Sequence, residues 1–190
     1  MAMPPFFMNV DFKSGGLTPN DRTNTRKLSD MKGMFSDAGA EERFLKKEDP
    51  VIYTFSEKAQ PEEAGHLQIA LTTIFPGKIG EEYYMTKGHY HQLARTAEVY
   101  LGLEGEGCLL MQTPEGEFAS IDIRPGTLAY IPPCWGHRMV NTGGAPFIFF
   151  AVYPGDAGHN YGAIEKTGFL KLLVGRGGKP VLIDNPKWKR

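Results

Sequence analysis

The chain has 190 residues, of which 41% are hydrophobic and 23% are charged, and its formal net charge is −1. These values are typical of one soluble globular domain that buries its core without disulfide support. A net charge so close to zero excludes an electrostatic argument for nucleic acid or an anionic membrane as a partner.

The sequence shows no evident signal peptide and no evident membrane-spanning segment. The start, MAMPPFFMNVDF, lacks the basic region and long apolar stretch of a signal peptide. The longest apolar run, FIFFAV, is the length of a strand and too short to span a bilayer. A cytoplasmic location is therefore expected.

Residues 1–50 differ in composition from the rest, being rich in Gly, Pro, Asp, Asn and Lys. We expect this segment to form an N-terminal arm that packs on the main domain or on a dimer partner. It contains one helical candidate, DAGAEERFLKK, with Asp37 placed to cap the helix. No catalytic or binding motif is evident in this segment.

From residue 51 to residue 190 the pattern predicts a single β domain. Short apolar or alternating runs are separated by turn sequences such as PGKIG, TPEGE and NTGGAP. Many short strands at this spacing indicate an all-β sandwich or barrel rather than a parallel α/β sheet. The predicted strands include EEYYMT and GHYH, and FLKLLV and PVLIDN are predicted to form a closing hairpin.

The two cysteines, Cys108 and Cys134, do not make a disulfide framework. We expect both to be small buried residues in strands, in a reducing compartment. Metal ligation by Cys134 is the alternative, although a thiolate would favour zinc or copper.

The strongest chemical signal is a set of three histidines and a glutamate. His89 and His91 lie on the same face of an extended segment, because strand side chains alternate with period two. Glu98 and His137, brought in from neighbouring strands, would complete a four-ligand site of three nitrogens and one oxygen. Such a donor set suits a divalent transition metal.

These residues resemble the paired motifs of the cupin superfamily. The first motif runs from His89 to Gly105, and the second comprises Gly126, Pro132, His137 and Asn141. The chain departs from the general pattern in two places: six residues separate His91 from Glu98, and Cys134 occupies the usual glycine position. We expect Asn141 to stabilise its own loop rather than bind the metal.

The departures and the surrounding sequence closely resemble the cupin-type phosphoglucose isomerases known mainly from archaea. The resemblance runs over nearly the whole chain, through RKLSDMKG, KEDPVIY, TKGHYH, IPPCWGHRMVN, FIFFAVYPGDAGHNYG and DNPKWK. It implies a jelly-roll barrel with a few short helices, a homodimer, and a metal-dependent interconversion of glucose 6-phosphate and fructose 6-phosphate in glycolysis and gluconeogenesis. One divalent metal is expected per subunit, iron(II) first, with manganese, nickel or zinc as alternatives.

Isomerisation of an aldose to a ketose needs a base that moves a proton between C1 and C2. Glu98 is the natural candidate, as the resemblance also implies, although a carboxylate bound to a cation is a weak base. Both an enediol and a hydride shift therefore remain open. The resemblance places Tyr153 near the sugar and gives His159 a role in ring opening. Tyr100 follows Glu98 by two and should face the same interior, either in the site or as core.

The phosphate group needs backbone N–H donors, hydroxyls and a cation. Thr86, Lys87 and Gly88, directly before His89, offer all three, with Lys87 either a phosphate contact or only a solvated neighbour. The resemblance adds Tyr53, Thr72 and Tyr161, whereas Thr73 should point to the opposite face.

Three rival functions fit some of these features. A cupin Fe(II) oxygenase would keep the metal ligands but needs no phosphate pocket. A non-catalytic sugar-binding cupin would often lose ligands, and a phosphomannose isomerase could share the enediol.

Overall fold

The structure is a computed structural model in which residues 4–188 are described. The first three residues of the arm and the last two of the basic end lie outside this range. Its strands are β1(Asn9–Asp11), β2(Gly16–Thr18), β3(Arg22–Lys27), β4(Val51–Lys58), β5(Leu67–Ile74), β6(Lys78–Ile79), β7(Glu82–Tyr83), β8(Glu98–Glu104), β9(Gly107–Gln112), β10(Phe118–Ile123), β11(Leu128–Ile131), β12(Gly136–Asn141), β13(Phe147–Pro154), β14(Lys171–Arg176) and β15(Lys179–Asp184). The helices are α1(Ala38–Leu45), α2(Tyr161–Thr167) and a 3-10 turn at Leu28–Met31.

Two sheets form the body of the molecule. The larger has the order β11-β8-β13-β5-β4-β3, and the smaller has the order β10-β9-β12. Side chains from both, including Phe147 and Phe149 of β13 and Leu109 and Met139 of the smaller sheet, belong to one core cluster. A four-stranded sheet, β15-β14-β7-β6, and the β1-β2 hairpin complete the described strands. The prediction of a mostly β sandwich or barrel is confirmed.

The register of the larger sheet decides which residues face the interior. Opposite residues in antiparallel pairs carry side chains on the same face. In β13, Phe149 and Ala151 point inward and are buried, whereas Phe150 and Val152 point outward and are partly exposed. Thr72 pairs with Phe149 and therefore also points inward, as predicted, while Thr73 lies on the other face.

The predicted helix near residue 40 is confirmed. The Asp37 side chain accepts a hydrogen bond of 2.8 Å from the Ala40 N–H, which satisfies one free donor of the first turn. The closing hairpin is confirmed as β14 and β15. Within the described residues, no helix is long and apolar enough to cross a membrane.

Two predicted strands are shorter than expected. EEYYMT contains the two-residue β7 and an isolated bridge from Met85 to Val140, and GHYH makes isolated bridges from His89 to His137 and from Tyr90 to Asn160. Gly88 has φ +72°, outside the strand region, so the chain turns just before the histidines and cannot form a long ladder there.

The expectation that both cysteines are buried in strands was wrong for Cys134. Cys108 is buried, in β9, but Cys134 is exposed and lies outside any strand. Its φ of +72° is the left-handed conformation that glycine adopts most readily, so the turn of the second motif keeps its usual backbone here without glycine. Asn141 stabilises its own loop, as expected, by accepting from Gly143 N–H and donating to the Ala145 carbonyl.

Candidate metal centre and active site

Four side chains converge at one end of the space between the two sheets. One ligand atom from each lies within 4.8 Å of all the others, and the set consists of His89, His91, Glu98 and His137. Glu98 begins β8 and His137 lies in β12, so the two main sheets each supply one member. The bridge between His89 and His137 ties the His-x-His segment to β12. The exposed fractions of His91, Glu98 and His137 are 8%, 3% and 1%.

Hydrogen bonds behind two of the histidines define their tautomers. Nδ1 of His137 lies 3.3 Å from the Trp135 carbonyl, which only accepts, so Nδ1 carries the proton. The Thr96 hydroxyl donates to the Leu93 carbonyl and therefore accepts from Nδ1 of His91, at 2.8 Å. In both rings the Nε2 lone pair is left to face the cluster. This support of a ligating imidazole by a second hydrogen bond is typical of metal sites.

The resulting arrangement fits a cation. Nε2 of His137 and Nε2 of His91 lie 2.8 and 3.2 Å from Oε2 of Glu98, so lone pairs face a carboxylate oxygen. Among the residues described, Nε2 of His89 and of His137 are buried without a hydrogen-bond partner. Such buried acceptors are costly unless a positive charge lies between them.

Protonation equilibria in the cluster also suit metal ligation. Burial, with the neighbouring histidines, holds the pKa of His89 well below its ordinary value, which keeps the ring neutral. Burial alone would raise the pKa of Glu98, whereas positive charge and N–H donation at the positions of His137 and His91 lower it, so the ionised carboxylate is stabilised only when a cation or a proton lies between these groups. Neutral imidazoles and an ionised carboxylate are the forms that bind a divalent metal.

A cavity of about 510 Å³ opens onto the cluster. Its walls contain almost every residue predicted for the site: Tyr53, Thr72, Thr86, Lys87, Gly88, His89, Glu98, Tyr100, His137, Tyr153, His159 and Tyr161. His91, the remaining predicted ligand, is not among the residues of the described cavity wall, and its Nε2 lies 3.2 Å from Oε2 of Glu98. Residues from both main sheets and from the segment after β13 therefore surround one volume.

Tyr153 and His159 lie beside the cluster. The His159 ring is 4.4 Å from the His89 ring and 5.3 Å from the Tyr153 ring, between ring centroids. Burial lowers the pKa of His159, so the ring is neutral near pH 7 and able to accept a proton. Burial and Glu98 raise the pKa of Tyr153 above its ordinary value, so its hydroxyl keeps its proton. His159 and Tyr153 therefore place a proton acceptor and a hydroxyl donor side by side next to the cluster.

Tyr100 faces the same interior as Glu98, as the period-two pattern predicts. Its ring lies 5.7 Å from that of His137 and 5.0 Å from that of Phe149, between centroids. Burial, followed by the charge of Glu98, raises its pKa well above the ordinary value. Tyr100 is thus both a core residue and a neutral wall of the cavity.

The segment Thr86-Lys87-Gly88 is fixed at the cavity edge by β12 and its neighbours. The Met139 N–H donates to Oγ1 of Thr86 at 3.1 Å, so the Thr86 hydroxyl proton is directed elsewhere. Nη2 of Arg138 donates to the Lys87 carbonyl at 2.7 Å. A Cβ on Gly88 would lie 2.7 Å from Phe169 and 2.9 Å from the His137 carbonyl. Close packing, together with positive φ, therefore requires glycine here.

Three polar side chains of β3 also line the cavity, and sequence patterns did not reveal them. Arg22, Asn24 and Arg26 recur with period two along RTNTRK and pair with β4. The Arg26 guanidinium lies 5.7 Å from the centroid of the Phe55 ring. Burial raises the pKa of Tyr53 to about 12, and the charge of Arg26 opposes that rise, as it does at Tyr161. Arg26 is therefore a cation beside two hydroxyls predicted to bind phosphate. The available signal in the sequence was that Arg22, Asn24 and Arg26 are spaced two residues apart, which places them on one face of a strand.

A β-sandwich that holds an HxH pair, a following glutamate and a third histidine from a second motif defines a cupin. Residues 25–188 match the family model described as Glucose-6-phosphate isomerase (GPI). The chain is 49% identical over 185 residues to the glucose-6-phosphate isomerase of Thermococcus litoralis, covering 97% of each chain. It is 48% identical over 189 residues to that of Pyrococcus abyssi, covering 100% of each. A solved oxalate decarboxylase has 20% identity and a TM-score of 0.45, over 60% of this chain and 29% of that one. The chain belongs to the glucose-6-phosphate isomerase family.

Proposed function

We propose that the protein is a metal-dependent isomerase that interconverts glucose 6-phosphate and fructose 6-phosphate, with Glu98 as the base. The observation that carries this proposal is the position of Glu98, a 3% exposed carboxylate in the wall of a cavity that also contains donors for a phosphate. A divalent ion held by His89, His91, Glu98 and His137 would polarise the carbonyl and stabilise negative charge on the C1 and C2 oxygens. We propose one ion per subunit, with iron(II) first among the metals that suit this donor set.

The proton transfer itself belongs to the side chains. Glu98 removes the proton from C2 of the open-chain aldose, which gives an enediolate; the proton of the C2 hydroxyl then moves to the C1 oxygen, and Glu98, which can exchange its proton with solvent, delivers a proton to C1. Tyr153 and His159 act earlier, in ring opening: His159 takes the proton of the C1 hydroxyl while the Tyr153 hydroxyl donates to the ring oxygen. Their rings lie 5.3 Å apart, which leaves both groups within reach of one sugar ring. Tyr100 closes the wall beside them and excludes water.

The proposed phosphate subsite is built around the segment Thr86-Lys87-Gly88, which directly precedes His89. We propose that the Thr86 hydroxyl and the Gly88 backbone donate to the phosphate, with Lys87, Tyr53, Thr72 and Tyr161 around it. Because the Thr86 oxygen already accepts from Met139, its proton is free to donate. Arg26 supplies positive charge beside the two tyrosines, which makes the hydrogen bonds to a dianion charge-assisted.

We expect Arg26→Met to raise the KM for fructose 6-phosphate about 10-fold or more while kcat changes less than threefold. The charge contacts a part of the substrate that does not react, so its loss weakens ground state and transition state alike. Steady-state kinetics measure this split. Arg43→Met, in helix α1 and outside the described cavity wall, is the matched control. A fall confined to kcat would contradict the assignment.

We further propose a cytoplasmic homodimer formed through the outer face of the larger sheet, with residues 1–50 as an arm on the barrel or on the partner and residues 51–190 as the barrel. Leu128 and Tyr130, on β11, are 68% and 58% exposed, and Val99 and Leu101 of the adjacent β8 are partly exposed. Phe7 of the arm is 75% exposed. A near-neutral chain with so large an apolar face suits a second copy of itself.

Light scattering tests this assembly. The unmodified protein is expected to have twice the mass of one chain, and Leu128→Lys combined with Tyr130→Lys is expected to shift it to one. Val181→Lys, on the exposed side of β15, should leave the mass unchanged. A single-chain mass for the unmodified protein would overturn the proposal.

A coupled assay tests the proposed reaction. Metal-loaded protein should convert fructose 6-phosphate to glucose 6-phosphate, anaerobically as well as in air, at a kcat/KM at least 100-fold above that for mannose 6-phosphate. Turnover that requires oxygen would indicate an oxygenase. Binding of sugar phosphate without turnover would indicate a binding protein, and a preference for mannose 6-phosphate a phosphomannose isomerase.

A further inference from the structure

Glu57, in β4, is a buried carboxylate in the cavity wall. It has no role in the reaction proposed above. Its exposed fraction is 8%. Nε of Arg22 forms an ion pair with Oε1, and Nδ2 of Asn24 donates to the same oxygen at 3.3 Å. Both described contacts are made by Oε1, and within residues 4–188 no described hydrogen bond uses Oε2, which leaves Oε2 as an acceptor of a residue that lines the cavity. Two donors from β3 fix the orientation of the group.

The sheet register places Glu57 beside an open floor. Glu57 pairs with Ala70, Ala70 pairs with Ala151, and Ala151 pairs with Tyr100, so the four side chains form one row on the inner face. The two alanines in the middle of this row are small, and the carboxylate therefore faces empty cavity rather than a packed side chain. A ligand that lies over Ala70 and Ala151 would contact Glu57 from one side.

The neighbouring rows define which part of a ligand reaches that floor. On one side lies the row of Phe55, Thr72 and Phe149, which leads to the proposed phosphate subsite. On the other side lie Gln68 and Tyr153, next to Glu98. The middle row therefore faces the middle of an open-chain sugar phosphate, between its phosphate and its reacting carbons.

Charge decides what Glu57 can bind. An ionised carboxylate accepts hydrogen bonds and repels a phosphate, so it does not belong to the phosphate subsite. The hydroxyl groups on the interior carbons of a sugar are donors of the required kind. Pairing with Arg22 offsets part of the charge, which lowers the cost of keeping the group ionised when the ligand excludes water.

We propose that Glu57 is a substrate-binding residue that recognises the C3 and C4 hydroxyls of the sugar phosphate through Oε2. The proposal rests on the proposed function, since it assumes a sugar phosphate in this cavity. Arg22 and Asn24 are positioning residues that orient the carboxylate. Substrates that lack either hydroxyl, or carry it with the opposite configuration, lose this contact.

The test compares fructose 6-phosphate with its 3-deoxy and 4-deoxy analogues. For the unmodified protein, kcat/KM should fall about 10-fold to 100-fold with at least one analogue, the range for a hydrogen bond to a charged group. In Glu57→Gln, fructose 6-phosphate itself should lose a similar factor, and the penalty for that analogue should shrink to below about threefold. A merely structural role would lower kcat/KM for all three substrates equally, and that result would overturn the proposal.

Glu62→Gln is the matched control, because it removes the same charge from an exposed side chain at the edge of the same cavity. Its deoxy penalties should equal those of the unmodified protein, and a loss of penalty there as well would refute a local contact. If Glu57→Gln does not fold, Glu57→Asp withdraws the carboxylate while keeping its charge, and the same comparison applies. Equilibrium binding of the three sugars keeps the inference testable if no turnover occurs, an outcome that would refute the proposed function instead.

Discussion

Glu98→Ala is expected to lower kcat for fructose 6-phosphate at least about 10³-fold while the protein stays folded. A positioned general base accelerates proton transfer about 10²-fold to 10⁴-fold, and Glu98 is the carboxylate that the two main sheets enclose beside three imidazoles. The substitution also removes a buried charge, so it does not leave an uncompensated carboxylate in the core. Circular dichroism should therefore show the same β content as the unmodified protein.

The loss of the base must be separated from the loss of the metal, since Glu98 is predicted to serve both. Metal content measured on Glu98→Ala and Glu98→Gln decides this: a variant that keeps its metal and loses turnover has lost the base. Glu104→Ala, an exposed residue at the other end of β8, is the control and should retain full activity. Activity within about tenfold of the unmodified protein in metal-loaded Glu98→Ala would exclude Glu98 as the base.

Solvent exchange addresses the mechanism independently. In D2O, proton transfer through an enediol exchanges the proton with the solvent, and deuterium should appear at C1 of fructose 6-phosphate. A hydride shift would carry the original hydrogen directly between the carbons. The absence of deuterium from the product would favour that path and leave Glu98 only as a metal ligand.

The ligand set was predictable because its spacing is local and chemically specific. His89 and His91 face one way in any extended segment, and Glu98 and His137 are the acid and the imidazole of the paired motifs. The hydrogen bonds that orient the ligating imidazoles were harder to predict from the sequence. Thr96 supports His91 only because the longer spacer before Glu98 folds back, so its role follows from a turn whose shape no residue type specifies.

The contribution of the N-terminal segment was not predictable from its residues. Every residue of β3, RTNTRK, is polar, so the strand has no apolar face. Its pattern therefore does not indicate which sheet it joins. Its position depends on pairing with β4, about 30 residues further along the chain. Only that pairing brings Arg26 to the phosphate end and Arg22 to Glu57. The prediction for Cys134 was wrong because its backbone has positive φ, which a strand cannot continue through, whereas Cys108 is buried in β9 as expected.

Removal of the metal is expected to abolish isomerisation, and a divalent ion is expected to restore it. Without a cation, the lone pairs of His91 and His137 face Oε2 of Glu98 across 3.2 and 2.8 Å, an arrangement that destabilises the folded protein. Binding at 1,000 times the Kd contributes about 4 kcal/mol, so Tm should fall on chelation and recover on reloading.

Thr96→Val sharpens this experiment because it changes no predicted ligand. It removes the hydroxyl that accepts from Nδ1 of His91 and leaves the Thr96 carbonyl, 3.2 Å from the same nitrogen, as the remaining acceptor, so metal affinity should fall about 10-fold, the lower end of the range for such losses. Thr142→Val, which follows β12 and belongs neither to the described cluster nor to the described cavity wall, should bind metal like the unmodified protein. At saturating metal the Thr96 variant should recover most of its turnover, since its base and its sugar contacts are intact. Full activity in protein verified to be metal-free would exclude a catalytic ion, and the convergence of three imidazoles on Glu98 would then need a bound proton instead.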